Sequence, residues 1–427
     1  MKKAIICLLS MVMVSPAITS TISCNRNVGN LDYLVGTDIK KIPDLKDDTI
    51  KNDLGLSNFY SLGDSLSDNG AALDAIPRKL TTILKYAATN ENARKVIENI
   101  EPLLYEKIKS SGISERAFSS LLKLLISKMS GISIKVNFLT NNGAIIHNYC
   151  TDGETAVCYL AKKLNENVFN FAYSSNICGE DISAYGKNYS VAASTSAELD
   201  GIKGALLNDF SLKNQARALI SQHNINSTDL AWVMIGGNDL FSILSGEDRE
   251  KIIDSAMSNM KIALLTLMNN GFRHIVLANA PDISMIPQYI NSAQKQLAHD
   301  ISMEFNEGEN ILIDSLNKEY PNVITPFDLN TNFQKYIAKF KSEKSNANVQ
   351  DPSIEKNLDT DALIKDLLVA LINVDPSTVT LKVNIKQLKY VENPDNYLFW
   401  DDIHPREWLH KKIADEFYKI VKNIFKK

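Results

Sequence analysis

"AWVMIGGNDL", residues 231–240, is a run of apolar residues that stops at two glycines. No polar residue alternates with the apolar ones, so a strand here is covered on both faces, as in a parallel sheet with helices on either side. Working outward from it, "NFYSL" (58–62), "NVFNFAYSS" (167–175), "HIVLANAP" (274–281) and "NVITPFD" (322–328) read as further strands or strand–turn segments. Ile252, Ile253, Ala256, Met257, Met260, Leu264 and Leu267 share one face of a predicted helix, a second helical stretch covers about 289–320, and "REWLHKKIADEFYKIVKNIFKK" closes the chain as an amphipathic helix. Strands alternating with helices predict an α/β protein, a three-layer α/β/α sandwich on a mainly parallel central sheet.

Two segments interrupt that alternation. Residues 77–131 carry apolar residues at three- and four-residue spacing and predict a helical insertion, either a lipid-facing cap or an added packing layer. Residues 335–392 form a second insertion, within which 342–361, "SEKSNANVQDPSIEKNLDTD", reads as an exposed polar loop open to proteolytic nicking. The loop between Cys150 and Cys158 reads the same way.

The chain has 427 residues, 44% of them apolar and 22% charged, with a formal charge of −4. It can bury a large core, and the absence of a long basic block argues against a nucleic-acid partner. Lys2 and Lys3 precede the apolar "AIICLLSMVMV", and small residues follow, so residues 1–23 are expected to be a signal peptide. The expectation is a secreted protein of residues 24–427, extracellular or periplasmic. Lipoprotein anchoring at Cys24 is disfavoured, because "TISC" lacks an aliphatic residue three positions before the cysteine. Export favours disulfides; Cys150 and Cys158, flanking "TDGETAV", are the natural pair, leaving Cys178 for Cys24 or unpaired. No zinc-type spacing is present, and no metal or cofactor is expected.

"NFYSLGDSLSDNGAAL" (58–73) puts Ser65 just past a predicted strand. A serine hydroxyl becomes a nucleophile only when a base takes its proton and donors stabilise the oxyanion. Of six histidines, His147, His223, His274 and His299 have no acidic neighbour in a turn, and His410 lies within the last helix. In "YLFWDDIHPREW", His404 follows Asp401 by three residues, and Pro405 keeps the segment from continuing as helix. A turn of that length lets the Asp401 carboxylate reach the imidazole; Asp402 is the adjacent alternative. Asn238, after two glycines at a strand end, can present its amide in the crevice where open α/β sheets bind ligands. Asp64 and Asp68 read as shaping the turn.

"GDSLSDNG" (63–70), "NFAYSS" (170–175), "GGND" (236–239) and "DDIHP" (401–405) resemble, in that order, four sequence blocks of the GDSL esterases and lipases, the SGNH hydrolases. The resemblance is closer to the branch of secreted bacterial phospholipases, haemolysins and glycerophospholipid:cholesterol acyltransferases. It implies the SGNH-hydrolase, flavodoxin-like fold, with Ser65 as nucleophile, His404 as general base and acid, and Asp401 as the orienting carboxylate. It further implies an oxyanion hole of the Ser65 N–H, the Asn238 amide and a backbone N–H at Ser175, where the family usually has glycine. The substrate it implies is a phospholipid or lysophospholipid met at a membrane surface, with cholesterol as an alternative acyl acceptor. A carbohydrate O-acetylesterase and a non-catalytic binding protein on the same scaffold are the competing readings. The absence of a Gly-x-Ser-x-Gly elbow argues against the α/β-hydrolase fold.

Overall fold

A computed structural model describes residues 32–41, 52–72, 74–75, 114–117, 120, 133–140, 145–146, 150–166, 169–173, 186–200, 204, 207–354, 380–388 and 390–425. The segments 1–23 and nearly all of 77–131 lie outside the described residues, as do Cys24, His147, Ser175 and Cys178.

The central sheet joins β1 (Phe59–Gly63), β4 (Leu230–Met234), β5 (His274–Ala278) and β6 (Ile324–Phe327), in that spatial order and all parallel. Every residue of β1 and β4 is buried, so both faces of the sheet are covered, as the unbroken apolar runs require. Trp232 of β4 stacks among Phe327 and Phe417, whereas Tyr60 of β1 meets His223 and Phe272. The molecule is a mixed α/β protein on a parallel sheet, as the alternating pattern predicts.

The free edge of β1 is taken by residues 187–191, an extended segment without regular strand geometry. Ser61 N–H donates to Lys187 O (3.0 Å), Tyr189 N–H to Ser61 O (2.7 Å) and Val191 N–H to Gly63 O (3.2 Å). The chain therefore leaves β1 to one side and returns on the other as β4, which makes the β1/β4 junction the topological switch point. Ligands bind outside the carboxyl ends of strands at such points.

Two smaller sheets lie apart from the central one. β2 (Ser133–Thr140) pairs parallel with β8 (Thr380–Leu388) and antiparallel with β3 (Ile145–Ile146). β7 (Asn348–Pro352) pairs parallel with β9 (Tyr397–Phe399). The sequence places 348–352 in an exposed loop. Instead it is strand, with Val349, Ser353 and Ile354 buried, because β9 supplies the hydrogen-bonding edge that a polar sequence does not advertise.

The labelled helices are α1 (Ala156–Lys163), α2 (Leu212–Gln222), α3 (Gly237–Leu244), α4 (Arg249–Asn269), α5 (Lys295–Glu319), α6 (Leu329–Glu343) and α7 (Glu407–Phe425). The expected Cys150–Cys158 disulfide does not form. Cys158 is drawn into α1, where its sulfur accepts from Thr155 Oγ1, and burial pushes its thiol up to about 11. The intervening loop is not an exposed one: Cys150, Thr151 and Thr155 are buried, and Asp152 is held by the start of α7. Amide N–H groups at the entry to a helix competed for the loop and won.

Candidate active site

β1 and β4 end side by side, Gly63 opposite Met234. A Cβ at residue 63 would stand 2.2 Å from Met234 O, so only glycine lets the two strand ends approach this closely. Gln215 of α2 holds Gly63 from both sides, accepting from its N–H (2.8 Å) and donating to its O (2.8 Å). The chain then turns sharply: Asp64 O accepts from Ser67 N–H (3.1 Å) and Asp68 N–H (2.9 Å), and Asp64 Oδ1 from Leu66 N–H (3.0 Å). Ser65 sits in that turn, partly exposed.

After β4, Gly236 adopts φ 131°, and a Cβ there would meet the Phe305 ring at 2.6 Å. The kink lets α3 start at once, with Asn238 in its first turn beside Ser65.

Asp401 and His404 reach the same place from the far end of the chain. Their loop, 400–405, is closed by Trp400 N–H donating to His404 O (2.8 Å) and steadied by Ser353, whose N–H donates to Phe399 O (2.9 Å). Asp401 Oδ1 accepts the N–H groups of Ile403 (2.7 Å) and His404 (2.7 Å), and Asp401 Oδ2 meets His404 Nδ1 at 2.8 Å. His404 Nε2 stands 2.8 Å from Ser65 Oγ. With its Nδ1 proton committed to Asp401, the ring presents Nε2 as acceptor to the serine hydroxyl. Asp401, and not Asp402, makes this contact. A side chain 339 positions away in sequence thus closes a serine–histidine–aspartate line. His299 also pairs with a carboxylate, Asp282 (2.7 Å), a pairing hidden from the sequence by a separation of 17 positions. Among the described residues, only His404 joins such a pair to a serine hydroxyl.

The sequence model of the GDSL-like Lipase/Acylhydrolase family matches residues 59–417, the span that contains all three residues. The chain belongs to this family. No curated protein sequence matches it.

Three segments bring hydrogen-bond donors to this end of the sheet. The N–H of Ser65 donates to no acceptor among the described residues. Asn238 Nδ2 donates one hydrogen to Ser194 O (2.9 Å), which leaves its second. Ser194 belongs to a turn, closed by its N–H on Val191 O (3.1 Å), whose third residue, Ala193, has φ 70°. That conformation favours glycine, and the Ala193 N–H also has no acceptor among the described residues. Ser175, the sequence-based candidate for this third donor, lies outside the described residues. Sequence reasoning missed 187–196 altogether: its small polar residues carry no strand period, and alanine stands where a glycine would have flagged the turn.

Burial drives the nearby carboxyls toward their neutral form. Asp64 is pushed up to about 6, chiefly by desolvation, with the Leu66 N–H and the His404 charge opposing. Asp239 is pushed up to about 7, again by burial, against hydrogen bonds from Ala197 and Ser196.

Among the described residues, the side chains lining the cleft beyond Asp64, Ser65 and Asn238 are apolar. They include Leu66, Ile235, Phe241, Ile283, Ile286, Leu329, Phe333, Phe399, Ile403, Leu409 and Ile413. The arrangement suits an ester whose acyl group is aliphatic.

Proposed function

We propose that this GDSL-family acyl hydrolase is an exported lipolytic enzyme that cleaves carboxylic esters of phospholipids or lysophospholipids at a membrane surface through an acyl-Ser65 intermediate. The observation that carries this reading is the Asp401–His404–Ser65 line, opening on a cleft whose wall is hydrocarbon. His404 Nε2 takes the hydroxyl proton as Ser65 Oγ bonds to the ester carbonyl carbon, and the carbonyl electrons move onto oxygen. The Ser65 and Ala193 N–H groups and the Asn238 amide receive that oxyanion. Collapse expels the alcohol, which leaves with the proton held on His404, and Asp401 keeps the ring oriented throughout. Water, deprotonated by His404, then releases the fatty acid. A sterol hydroxyl taking the place of water would give acyl transfer to cholesterol.

An O-acetylesterase of carbohydrates would use the same chemistry. The lining favours the aliphatic reading, because among the described residues it offers no hydrogen-bonding side chain for sugar hydroxyls beyond Asp64, Ser65 and Asn238.

Replacing Ser65 by alanine abolishes both turnover and labelling by a fluorophosphonate, and His404→Asn lowers kcat by about 10³-fold or more. Lipid-product analysis on mixed phospholipid vesicles, with and without cholesterol, identifies the substrate and the acceptor. Full turnover by the Ser65→Ala protein, or acetylated sugars outrunning every phospholipid, overturns the proposal.

A further inference from the structure

The turn that carries Ala193 is held by two buried carboxylates that stand outside the serine–histidine–aspartate line. On one side, Asp68 Oδ2 accepts the N–H of Ala192 at 2.7 Å, while the same carboxylate receives the N–H groups of Gly70 (2.6 Å), Ala71 (2.7 Å) and Ala72 (3.0 Å). It thereby joins the turn to the segment that follows the nucleophile. On the other side, Asp239 takes the N–H groups of Ser196 (3.0 Å) and Ala197 (2.7 Å), one on each oxygen. Asp239 follows Asn238 directly, so this second anchor joins the turn to the segment bearing the side-chain donor. Asn259 Nδ2 adds a bond to Ser196 O (2.9 Å).

Both carboxylates are almost wholly removed from water, Asp68 at 1% exposed and Asp239 at 0%. Burying a charge is costly unless hydrogen bonds compensate, so neither is an incidental turn residue. Between the two anchors lies the one residue of the segment with a left-handed backbone, Ala193. An alanine visits that region only when its surroundings hold it there.

We propose that Asp68 and Asp239 are positioning residues of the oxyanion hole, which clamp the 192–197 segment from both sides and so hold Ala193 with its N–H aimed at the substrate carbonyl oxygen. The inference rests on the reading of Ser65 as nucleophile with Ala193 as a donor. It assigns to Asp68 more than the shaping of its own turn. The clamp acts on the transition state, where the oxyanion exists, and leaves substrate binding nearly unchanged.

The test measures kcat and KM for a short-chain aryl ester with full-length Asp68→Asn, Ala193→Gly and the double variant, counting functional sites by fluorophosphonate titration. Asn keeps the shape of Asp68 but offers one acceptor oxygen in place of two. Asp68→Asn is expected to lower kcat per titrated site by about tenfold or more, short of the ~10²–10³-fold lost with a whole oxyanion donor, while KM stays within about twofold. Glycine takes a positive φ without the steric penalty, so in the double variant Ala193→Gly restores about fivefold of the loss. Asp239→Asn, the matching change at the other anchor, shows the same split should Asp68→Asn fail to fold. A normal kcat per site in whichever of these Asn variants folds, or a double variant no faster than Asp68→Asn, overturns the clamp. Turnover by Ser65→Ala would instead overturn the underlying reading, and the two failures are told apart by that single variant.

Discussion

His410 shows how burial alone assigns a residue its part. It lies on α7, where the sequence suggests packing or surface, and it is in fact 1% exposed. Its Nδ1 accepts the Ala156 N–H (3.2 Å) at the start of α1, a bond that only the ring unprotonated at Nδ1 can accept. Burial, helped by the nearby His404 charge, drives its pKa down to about 3. Between about 6.5 and 3 the unfolded chain protonates this imidazole and the folded chain does not, so its contribution to stability falls as pH falls, by at most about 1.4 kcal/mol per pH unit. Asp64 and Asp239 run the other way. Their raised pKa values mean the folded protein holds protons that the unfolded chain has released, so they lose stability as pH rises from about 4 toward 6 and 7. Urea denaturation of the wild type and His410→Gln across pH 4–7 isolates the histidine: the wild-type advantage shrinks toward pH 4. A gap that does not change with pH would contradict the assignment. Ser65, Asp401 and His404 were legible at this scale because their signals are local, a serine past an apolar run and an acid one turn before a histidine. Gln215 and Asp239 were not, since each acts through backbone groups far from it in sequence, nor was Ala193, since an alanine does not announce a left-handed turn.

At the scale of elements, the loop of Asp401 and His404 is positioned by pieces that the sequence reads as exposed. Asp152, between the two cysteines, accepts Glu407 N–H at Oδ1 (2.7 Å) and Arg406 Nε at Oδ2 (2.6 Å), and so caps the first turn of α7 from 255 positions away. His404 is three residues upstream of that helix start. Asp152→Ala removes the cap and takes one of the Arg406 guanidinium's partners, leaving it Asp395 and the Pro394 carbonyl, a loss of about 1–3 kcal/mol. Asp152→Asn, which retains an oxygen for the Glu407 N–H, loses less. Thermal denaturation orders the three proteins, and equal melting temperatures would show that α7 begins unaided. Ser353, within the segment read as a polar loop, steadies the same loop through Phe399. Polar composition predicted solvent for both segments. Composition cannot say that the polar groups already have partners within the fold.

At the scale of the whole molecule, the parallel sheet converts order along the chain into proximity. The switch point between β1 and β4 collects Ser65, Asn238 and the 191–197 turn at one sheet end, and α7 with β9 returns Asp401 and His404 to it. Gly63 is the tightest point of that assembly. Gly63→Ala would push a methyl group against Met234 O and force β1 from β4, costing about 2–3 kcal/mol by the magnitude usual for overpacking and separating Ser65 from Asn238. Chemical denaturation and ester turnover are both expected to fall, and an unaffected variant would mean that the strand ends can part without consequence.

The residue pattern by itself determined that strands and helices alternate, that the sheet is parallel and covered on both faces, and that Ser65, Asp401 and His404 belong to one family of acyl hydrolases, because periodicity and short motifs are properties of neighbours along the chain. Tertiary structure alone decided that 187–191 completes the sheet, that Cys158 joins a helix and not Cys150, and that two buried carboxylates grip the turn of Ala193. Those outcomes depend on which backbone N–H groups lack a partner after folding, and that balance is set only when distant segments meet.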